Sequence, residues 1–578
     1  LETMRVQTPR KKQKRGFGGF LFLCFIGVVA GGGYWGWQHY VPSFEQLTPV
    51  FDTANPLFYQ GEPTGYGALV AQGGKSVKLP LKLVQELLGP DAPVRYEEES
   101  ESIILTTSNS VMHFKTDALT ATMNQQKVDL SFAAEKQEDT VYLPFEPLQE
   151  LYGLQFDYAP SSSIVTIHAA AELIQTGSVA KQETELRSQP TIKAPIVESL
   201  QIGAKLRLWG EEEGWYKVQA SSGYIGYVAK SAVVLGAIET TASVEEPEPF
   251  VAWKLYGQRI NLTWEAVYSR NPDLEKLGEL EGVNVVSPTW FALKDAKGQL
   301  SSKADKSYVN WAHGKGMQVW ALFSNSFDPD MTTTALASYE SRQNMIRQLI
   351  AYAQIYKLQG INIDFENVYT KDKENLVQFV REMTPLLHEQ GLVVSMDVTP
   401  KSNSEMWSAF IDRAALGKVV DFMMVMAYDE HWASSPVAGS VASLPWVEQS
   451  VKRILEEDGV PSRKLILGIP LYTRVWTEQA GEDGKTKVSS KAIGMEAVDK
   501  LIGEKQLQPE FNASTGQHYI EYQEDGARKR IWMENEVSIK ARAELAKKYD
   551  LGGVASWARV FQKPAIWPVL DEALQSRP

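Results

Sequence analysis

The chain has 578 residues, 44% apolar, 22% charged and 10% aromatic, a globular balance too long for one core that excludes a mostly disordered protein. Lys and Arg total 58 against 71 Asp and Glu, and the net charge of −13 argues against a nucleic-acid partner, whose phosphates are held by clustered cations. A single cysteine, Cys24, and seven histidines without HxH or HxxxH spacing leave no disulfide framework and no expected metal site.

Residues 1–15 form a basic head, with Arg5, Arg10, Lys11, Lys12, Lys14 and Arg15 opposed by Glu2. Residues 16–38 carry no charge and end in Tyr34, Trp35 and Trp37. At about 1.5 Å per residue this run reaches about 34 Å, enough for a hydrocarbon core of about 30 Å, with the aromatic rings at the headgroup layer. The expectation is a single-pass transmembrane helix in a cell membrane, N-terminus cytoplasmic and the rest extracellular. A cleaved signal peptide is the alternative, but no small-x-small cleavage site follows the run.

Next comes an internal repeat. Val77-Lys-Leu-Pro-Leu-Lys-Leu-Val-Gln-Glu-Leu-Leu-Gly89 aligns with Val141-Tyr-Leu-Pro-Phe-Glu-Pro-Leu-Gln-Glu-Leu-Tyr-Gly153 at an offset of 64. Each copy reads as a strand, a helix begun by Pro and a closing Gly, followed by a strand pair. Residues 61–170 therefore read as a duplicated α+β domain, which resembles the copper amine oxidase N-terminal-like module, although no copper-ligand spacing is present. Over 173–236, short strands alternate with turns and end in Gly223-Tyr-Ile-Gly-Tyr-Val228. This small β-barrel pattern resembles a bacterial SH3 domain, with Trp209, Trp215, Tyr224 and Tyr227 expected to fill its core. Residues 237–250 carry acid and Pro without periodicity and read as a linker.

From 251 to 578, apolar β-type runs recur with helical stretches between them. They are Arg259–Trp264, Val283–Pro288, Gln318–Phe323, Gly360–Phe365, Val393–Val398, Phe422–Ala427, Leu465–Pro470 and Gly553–Ser556. Most are continuous hydrophobic runs, as when both sheet faces are buried. Eight βα units over this length predict an α/β fold, a (β/α)8 TIM barrel. A doubly wound open sheet is the runner-up, but the first strand is followed by no GxGxxG turn. Residues 477–536 read as a small α+β insertion over the barrel mouth.

The fourth run, Gly360-Ile-Asn-Ile-Asp-Phe-Glu-Asn367, carries chemistry. Side chains alternate faces along a strand, so Asn362, Asp364 and Glu366 share one face while Ile361, Ile363 and Phe365 share the other. If the apolar face packs on helices, the polar one points into the barrel. Two carboxylates stacked there raise each other's proton affinity, so one can stay protonated and serve as a general acid. An edge strand with its polar face in water is the bland alternative, set aside because the neighbouring runs show no such alternation.

These residues resemble glycoside hydrolase family 18, chitinases and their relatives, whose fourth strand carries DGxDxDxE. Here Gln359 and Asn362 stand at the two earlier Asp positions, a form similar to the spore-germination and peptidoglycan-cleaving branch. Met426-Ala-Tyr428-Asp429 resembles the family's MxYD, Gly468-Ile-Pro-Leu-Tyr472 its seventh strand, and Trp557 the tryptophan under the central sugar. The usual SxGG of the third strand is replaced by Ser324-Asn-Ser326. The resemblance implies a retaining, substrate-assisted glycosidase acting on β-1,4-linked N-acetylglucosamine glycans, with no cofactor. By it, Glu366 is the acid, Asp364 orients the acetamide and Tyr428 donates a hydrogen bond to it. Asp429 and Trp557 bind sugar, with Asn362, Met426 and Tyr472 at the substrate site. Peptidoglycan is the expected polysaccharide and chitin the second; a non-catalytic glycan-binding protein and a surface assembly protein are the rivals. Asn362 removes one carboxylate from the strand-four stack, which predicts a shifted acid limb of the pH–rate profile. His313 and His431 lack a carboxylate partner in register and read as polar contacts.

Overall fold

The computed structural model describes residues 17–89, 93–244, 248–254, 257–481 and 486–575. It divides into two compact units, residues 1–87 with 131–245 and residues 88–130 with 246–578. The basic head at 1–15 lies outside the described residues. A helix runs over Phe17–Tyr40. Among the described residues, however, no helix is long and apolar enough to cross a membrane, so the span expected over 16–38 is not borne out. Gly27, Gly31, Gly32, Gly33 and Gly36 dilute its apolar run.

In the first unit the repeat pairs with itself. Strands Ser76–Pro80 and Thr140–Pro144 lie antiparallel with Leu79 opposite Leu143, the equivalent residue of the other copy. Each strand feeds its helix, Leu81–Leu88 and Phe145–Tyr152, whose apolar sides are buried. The stretch 61–170, expected as one domain, is shared between the units, because 88–130 belongs with the barrel. The SH3-like segment is a seven-stranded antiparallel sheet from Leu173 to Thr240 whose last strand, Val233–Thr240, runs into the expected linker. Its core is aliphatic: Val179, Leu186, Leu200, Leu206, Leu208, Val218 and Val228 are buried, with Tyr224 packed partly against them. Trp209, Trp215 and Tyr227 stay outside that core, contrary to expectation. Branched aliphatics fill that space, and these three rings are half-buried around it.

In the second unit eight parallel strands close a ring. They are β1 (Ile260–Glu265), β2 (Val285–Leu293), β3 (Gln318–Ser324), β4 (Gly360–Asp364), β5 (Val393–Val398), β6 (Phe422–Met426), β7 (Leu465–Pro470) and β8 (Gly553–Trp557). Each pairs with its neighbour, and β8 pairs with β1. This is a TIM barrel. Helices such as Tyr339–Tyr356 and Lys373–Glu389 cover the outside. The first crossover carries only the short turn Leu274–Lys276, because Pro272 and the left-handed Gly278 and Gly282 interrupt any helix there. Ile361, Ile363 and Phe365 join the core between strands and helices, whereas Leu262, Trp264, Trp320, Phe422 and Met424 fill the interior. Gly360 permits this filling: a Cβ there would stand 2.8 Å from the Trp320 ring. The insertion is a five-stranded sheet with one helix, beginning at Tyr472 and ending at Trp532.

Residues 94–129 form a five-stranded antiparallel meander in the same unit. Ile104 and Val111 enter the outer core of the barrel, and Arg95 donates to Asn375 at 2.7 Å.

Candidate active site

Strand β4 delivers its polar face to the barrel interior, as its alternation requires. Asn362 is fully buried, Asp364 is 8% exposed, and Glu366 follows two residues later at the mouth, half-buried. The loop after β3 holds Glu366 by its backbone. Asn325 Oδ1 accepts the Glu366 N–H at 3.1 Å, and Asn325 Nδ2 donates to the Glu366 carbonyl at 2.8 Å. The Ser324-Asn-Ser326 stretch that replaces the family motif therefore anchors the strand carrying the acid.

The register of β5 adds a residue that sequence reasoning missed. Asn362 lies beside Ser395 and Ile363 beside Met396, so one step further Asp364 is level with Asp397. Same-face side chains on adjacent strands stand about 5 Å apart. Asp397 is 2% exposed, and its Oδ1 accepts from Asn362 Nδ2 at 2.9 Å. The Asn362 carbonyl oxygen is itself taken by Trp264 Nε1 at 2.9 Å and Ser287 Oγ at 3.1 Å, which fixes the amide with its NH2 toward Asp397. The view that the strands beside β4 lack alternation is thus corrected for β5. Ser395 and Asp397 point inward, while Val394, Met396 and Val398 pack on helices. The signal was present in Val393-Val-Ser-Met-Asp-Val398, but one Asp in an apolar run does not disclose its neighbour.

The electrostatics follow from this crowding. Burial pushes Asp364 well above the usual carboxylate range, and Asp397 raises it further. Burial likewise raises Asp397, where Glu366 adds to the effect and the Asn362 hydrogen bond opposes it. Glu366 is pushed up to about 8, first by burial, then by Asp364 and Asp429. At neutral pH it therefore holds a proton at the open end of the barrel, as a general acid must. Asp364 Oδ1 is buried without a hydrogen-bond partner, an acceptor at hand for an incoming donor.

The sixth and seventh strands bring the remaining predicted residues to the same mouth. Tyr428 follows Met426, whose carbonyl accepts the Tyr428 N–H at 2.8 Å. Burial raises the Tyr428 hydroxyl well above its ordinary value, as do Asp397, Tyr472, Asp364 and Glu366 in turn, so it remains a donor. Asp429 adopts a left-handed backbone, φ 60°, uncommon for a residue with a Cβ. Its carboxylate is held by Tyr472 Oη at 2.6 Å and Arg474 Nη2 at 3.0 Å. Arg474 is a second residue sequence reasoning missed, since it belongs to the first strand of the insertion and reaches back. Trp557 lies partly exposed at the end of β8, its ring edge-on to Trp264 at 6.0 Å. Two residues on, Arg559 pairs with the buried Glu265 of β1, Nη2 to Oε1 at 2.9 Å, tying down the loop below that ring.

The bland residues stay bland. His313 pairs with Gln359 Oε1 at 2.9 Å at the opposite end of β4, so Gln359 is outside the site, and His431 Nδ1 meets the Ser440 carbonyl at 2.8 Å.

A mouth with a protonated Glu over a buried Asp, beside a partly buried Tyr and a partly exposed Trp, agrees with the comparisons. Residues 283–561 match the model of glycosyl hydrolases family 18. The barrel thus carries a glycosyl hydrolases family 18 domain. Residues 183–234 match the bacterial SH3 domain and 68–167 the copper amine oxidase N-terminal domain. The chain is 28% identical over 300 residues to the uncharacterized glycosylase YvbX of Bacillus subtilis (strain 168), covering 50% of this chain and 84% of that one. It is 24% identical over 260 residues to the cortical fragment-lytic enzyme of the same organism, covering 44% of this chain and 59% of the relative's own length. In three dimensions it resembles the spore cortex-lytic enzyme SleL of Bacillus megaterium QM B1551, with a TM-score of 0.50 and 18% identity over 65% of this chain and 89% of that one. That likeness speaks for the fold. The matched domain and these relatives support a glycosidase.

Proposed function

We propose that the protein is a membrane-anchored, cell-surface hydrolase that cuts β-1,4-linked N-acetylglucosamine glycans, with peptidoglycan as its substrate, and that it retains anomeric configuration. The observation that carries this reading is Glu366, held protonated by burial and by Asp364 at the open end of the barrel. In the reaction, the acetamide oxygen of the bound sugar attacks its own C1 while Glu366 passes its proton to the departing glycosidic oxygen. The positive charge that develops on the acetamide nitrogen is met by Asp364, whose free Oδ1 accepts the N–H. Tyr428 donates to the acetamide oxygen and aligns it. Trp557 offers an apolar face to the pyranose, and Asp429, steadied by Tyr472 and Arg474, grips a hydroxyl of the distorted ring. Water then attacks C1 and loses its proton to the Glu366 carboxylate, which restores the acid.

Peptidoglycan is preferred over chitin on two grounds: the SH3-like segment that precedes the barrel, and the likeness to a relative named for lysing cortical fragments. The anchor rests on the uncharged stretch 16–38 behind a basic head. Purified peptidoglycan and chitooligosaccharides are incubated with the wild-type chain and Glu366→Gln, and the reducing-end sugar released is identified. N-acetylglucosamine ends from peptidoglycan, lost in the variant, support the reading. Release from chitooligosaccharides alone moves the substrate to chitin, and wild-type binding without release makes it a glycan-binding protein. Recovery of the full chain in a carbonate-washed membrane pellet tests the anchor; a wholly supernatant chain removes it.

A further inference from the structure

The reaction just described leaves one carboxylate of the site without a task. Asp397 is buried level with Asp364 on the adjacent strand, and its contact with Asn362 is fixed from both ends. A buried carboxylate that serves only structure is paired with a cation or with several donors. Asp397 has no such cation: the Asn362 amide and the Trp264 indole, both neutral, donate to it. The side chains facing it are Asn362, Asp364 and Glu366 from β4, Trp264 from β1, and Met424 and Tyr428 from β6 and its end. None of these is a cation. Two carboxyls set side by side in a dry layer cannot both ionise, so they hold a proton between them.

We propose that Asp397 is a positioning residue that shares a proton with Asp364 and takes over, from the neighbouring strand, the place left in the stack by Asn362. This rests on the glycosidase reading and deepens it. Before substrate arrives, the shared proton neutralises the pair, so burial of Asp364 is tolerated. When an acetamide N–H approaches the free Asp364 Oδ1, the proton passes to Asp397, and Asp364 becomes the anion beneath the developing positive charge. No bond to carbon forms or breaks in this step, and the proton stays within the pair. Asn362 makes the transfer possible by holding Asp397 in one orientation, its own carbonyl being occupied by Trp264 and Ser287. On this proposal the shift of the acid limb expected from Asn362 is offset: strand four lacks a carboxylate there, but the layer as a whole does not.

The test compares wild type, Asp397→Asn and the exchange variant Asn362→Asp/Asp397→Asn. It uses carboxyl 13C titration of Asp364 in the intact chain alongside the pH profile of kcat/KM on a chitooligosaccharide. In Asp397→Asn the Asp364 titration, and with it the acid limb, moves to lower pH by about one unit or more. The exchange variant restores both toward wild type, which a loss of packing alone does not do. An Asp364 titration that stays put in folded Asp397→Asn, or an exchange variant that leaves it displaced, overturns the proposal. If Asp397→Asn does not fold, the exchange variant decides by itself: a titration near that of wild type supports sharing, and a displaced one refutes it. Titrations that move as described in a protein without turnover on any N-acetylated glycan retain the shared proton and remove the glycosidase reading.

Discussion

The second unit buries carboxylates in several places, and two of them are treated in opposite ways. Among the helices, Glu382 is fully buried against Arg342, which donates to it from Nη2 at 2.7 Å and Nε at 3.1 Å and to Glu97 at 2.7 Å. Gln378 adds a further donor to Glu382 at 2.8 Å. There every acid is answered by a guanidinium, and the cluster fastens the 94–129 meander to the barrel. In the mouth, Asp397, Asp364 and Glu366 face one another with neutral donors, the Asn362 amide and the Trp264 indole, and no guanidinium among them. Neither arrangement is cheap to desolvate. The first resolves its cost within the fold, whereas the second leaves it to be relieved by substrate, and that difference separates a structural cluster from a reactive one.

The largest effect that can break this contrast is chemical. Glu366→Gln keeps shape and loses the proton, and kcat/KM falls by roughly three orders of magnitude or more with a preserved circular dichroism spectrum. A variant within tenfold of wild type would place the acid elsewhere. The complementary change is Arg342→Met, which strands the buried Glu382 among helices and leaves Glu97 with Arg95. Urea unfolding of the second unit should show a loss of about 3–5 kcal/mol, with kcat unchanged in the protein that remains folded. If Arg342→Met instead lowers kcat at full stability, the two clusters are not separable.

Titration sharpens the same comparison. Glu366 sits at about 8 in the folded protein, above the ordinary carboxyl value, so the native state keeps a proton that the unfolded chain releases. Stability from this site is therefore present below the unfolded value and declines as pH rises toward about 8. Glu366→Gln should gain melting temperature relative to wild type across that window, and wild-type kcat/KM should fall above about pH 8. A gap in melting temperature that does not widen with pH contradicts the raised carboxyl. The smallest effect concerns Asp429: Tyr472→Phe removes one of its two hydrogen bonds and should raise KM by roughly fivefold, about 1 kcal/mol, with kcat little altered. Equal loss in kcat and kcat/KM would assign Tyr472 to the transition state instead.

Much of the barrel was legible in the chain because strands buried on both faces leave uninterrupted apolar runs, and all eight lie within a few residues of their expected positions. The site was legible where one strand breaks that rule, at Asn362, Asp364 and Glu366, since period-two alternation inside a parallel barrel forces polar groups inward. Three things were hidden. Asp397 is ordinary by itself, and only the β4–β5 register sets it beside Asp364. Arg474 lies 45 positions beyond the Asp429 it holds. Residues 88–130 lie inside a repeat whose local pattern gives no hint that this loop of the module leaves for the barrel.

The order of residues along the chain thus decided the elements, their inward and outward faces, and the strand that leads to Glu366, because alternation and helical spacing are local and survive in any context. Which acids became neighbours was decided by closure of the ring, because the proton affinity of a carboxyl depends on what stands within a few ångströms of it, and strand register alone brings residues from different strands that near.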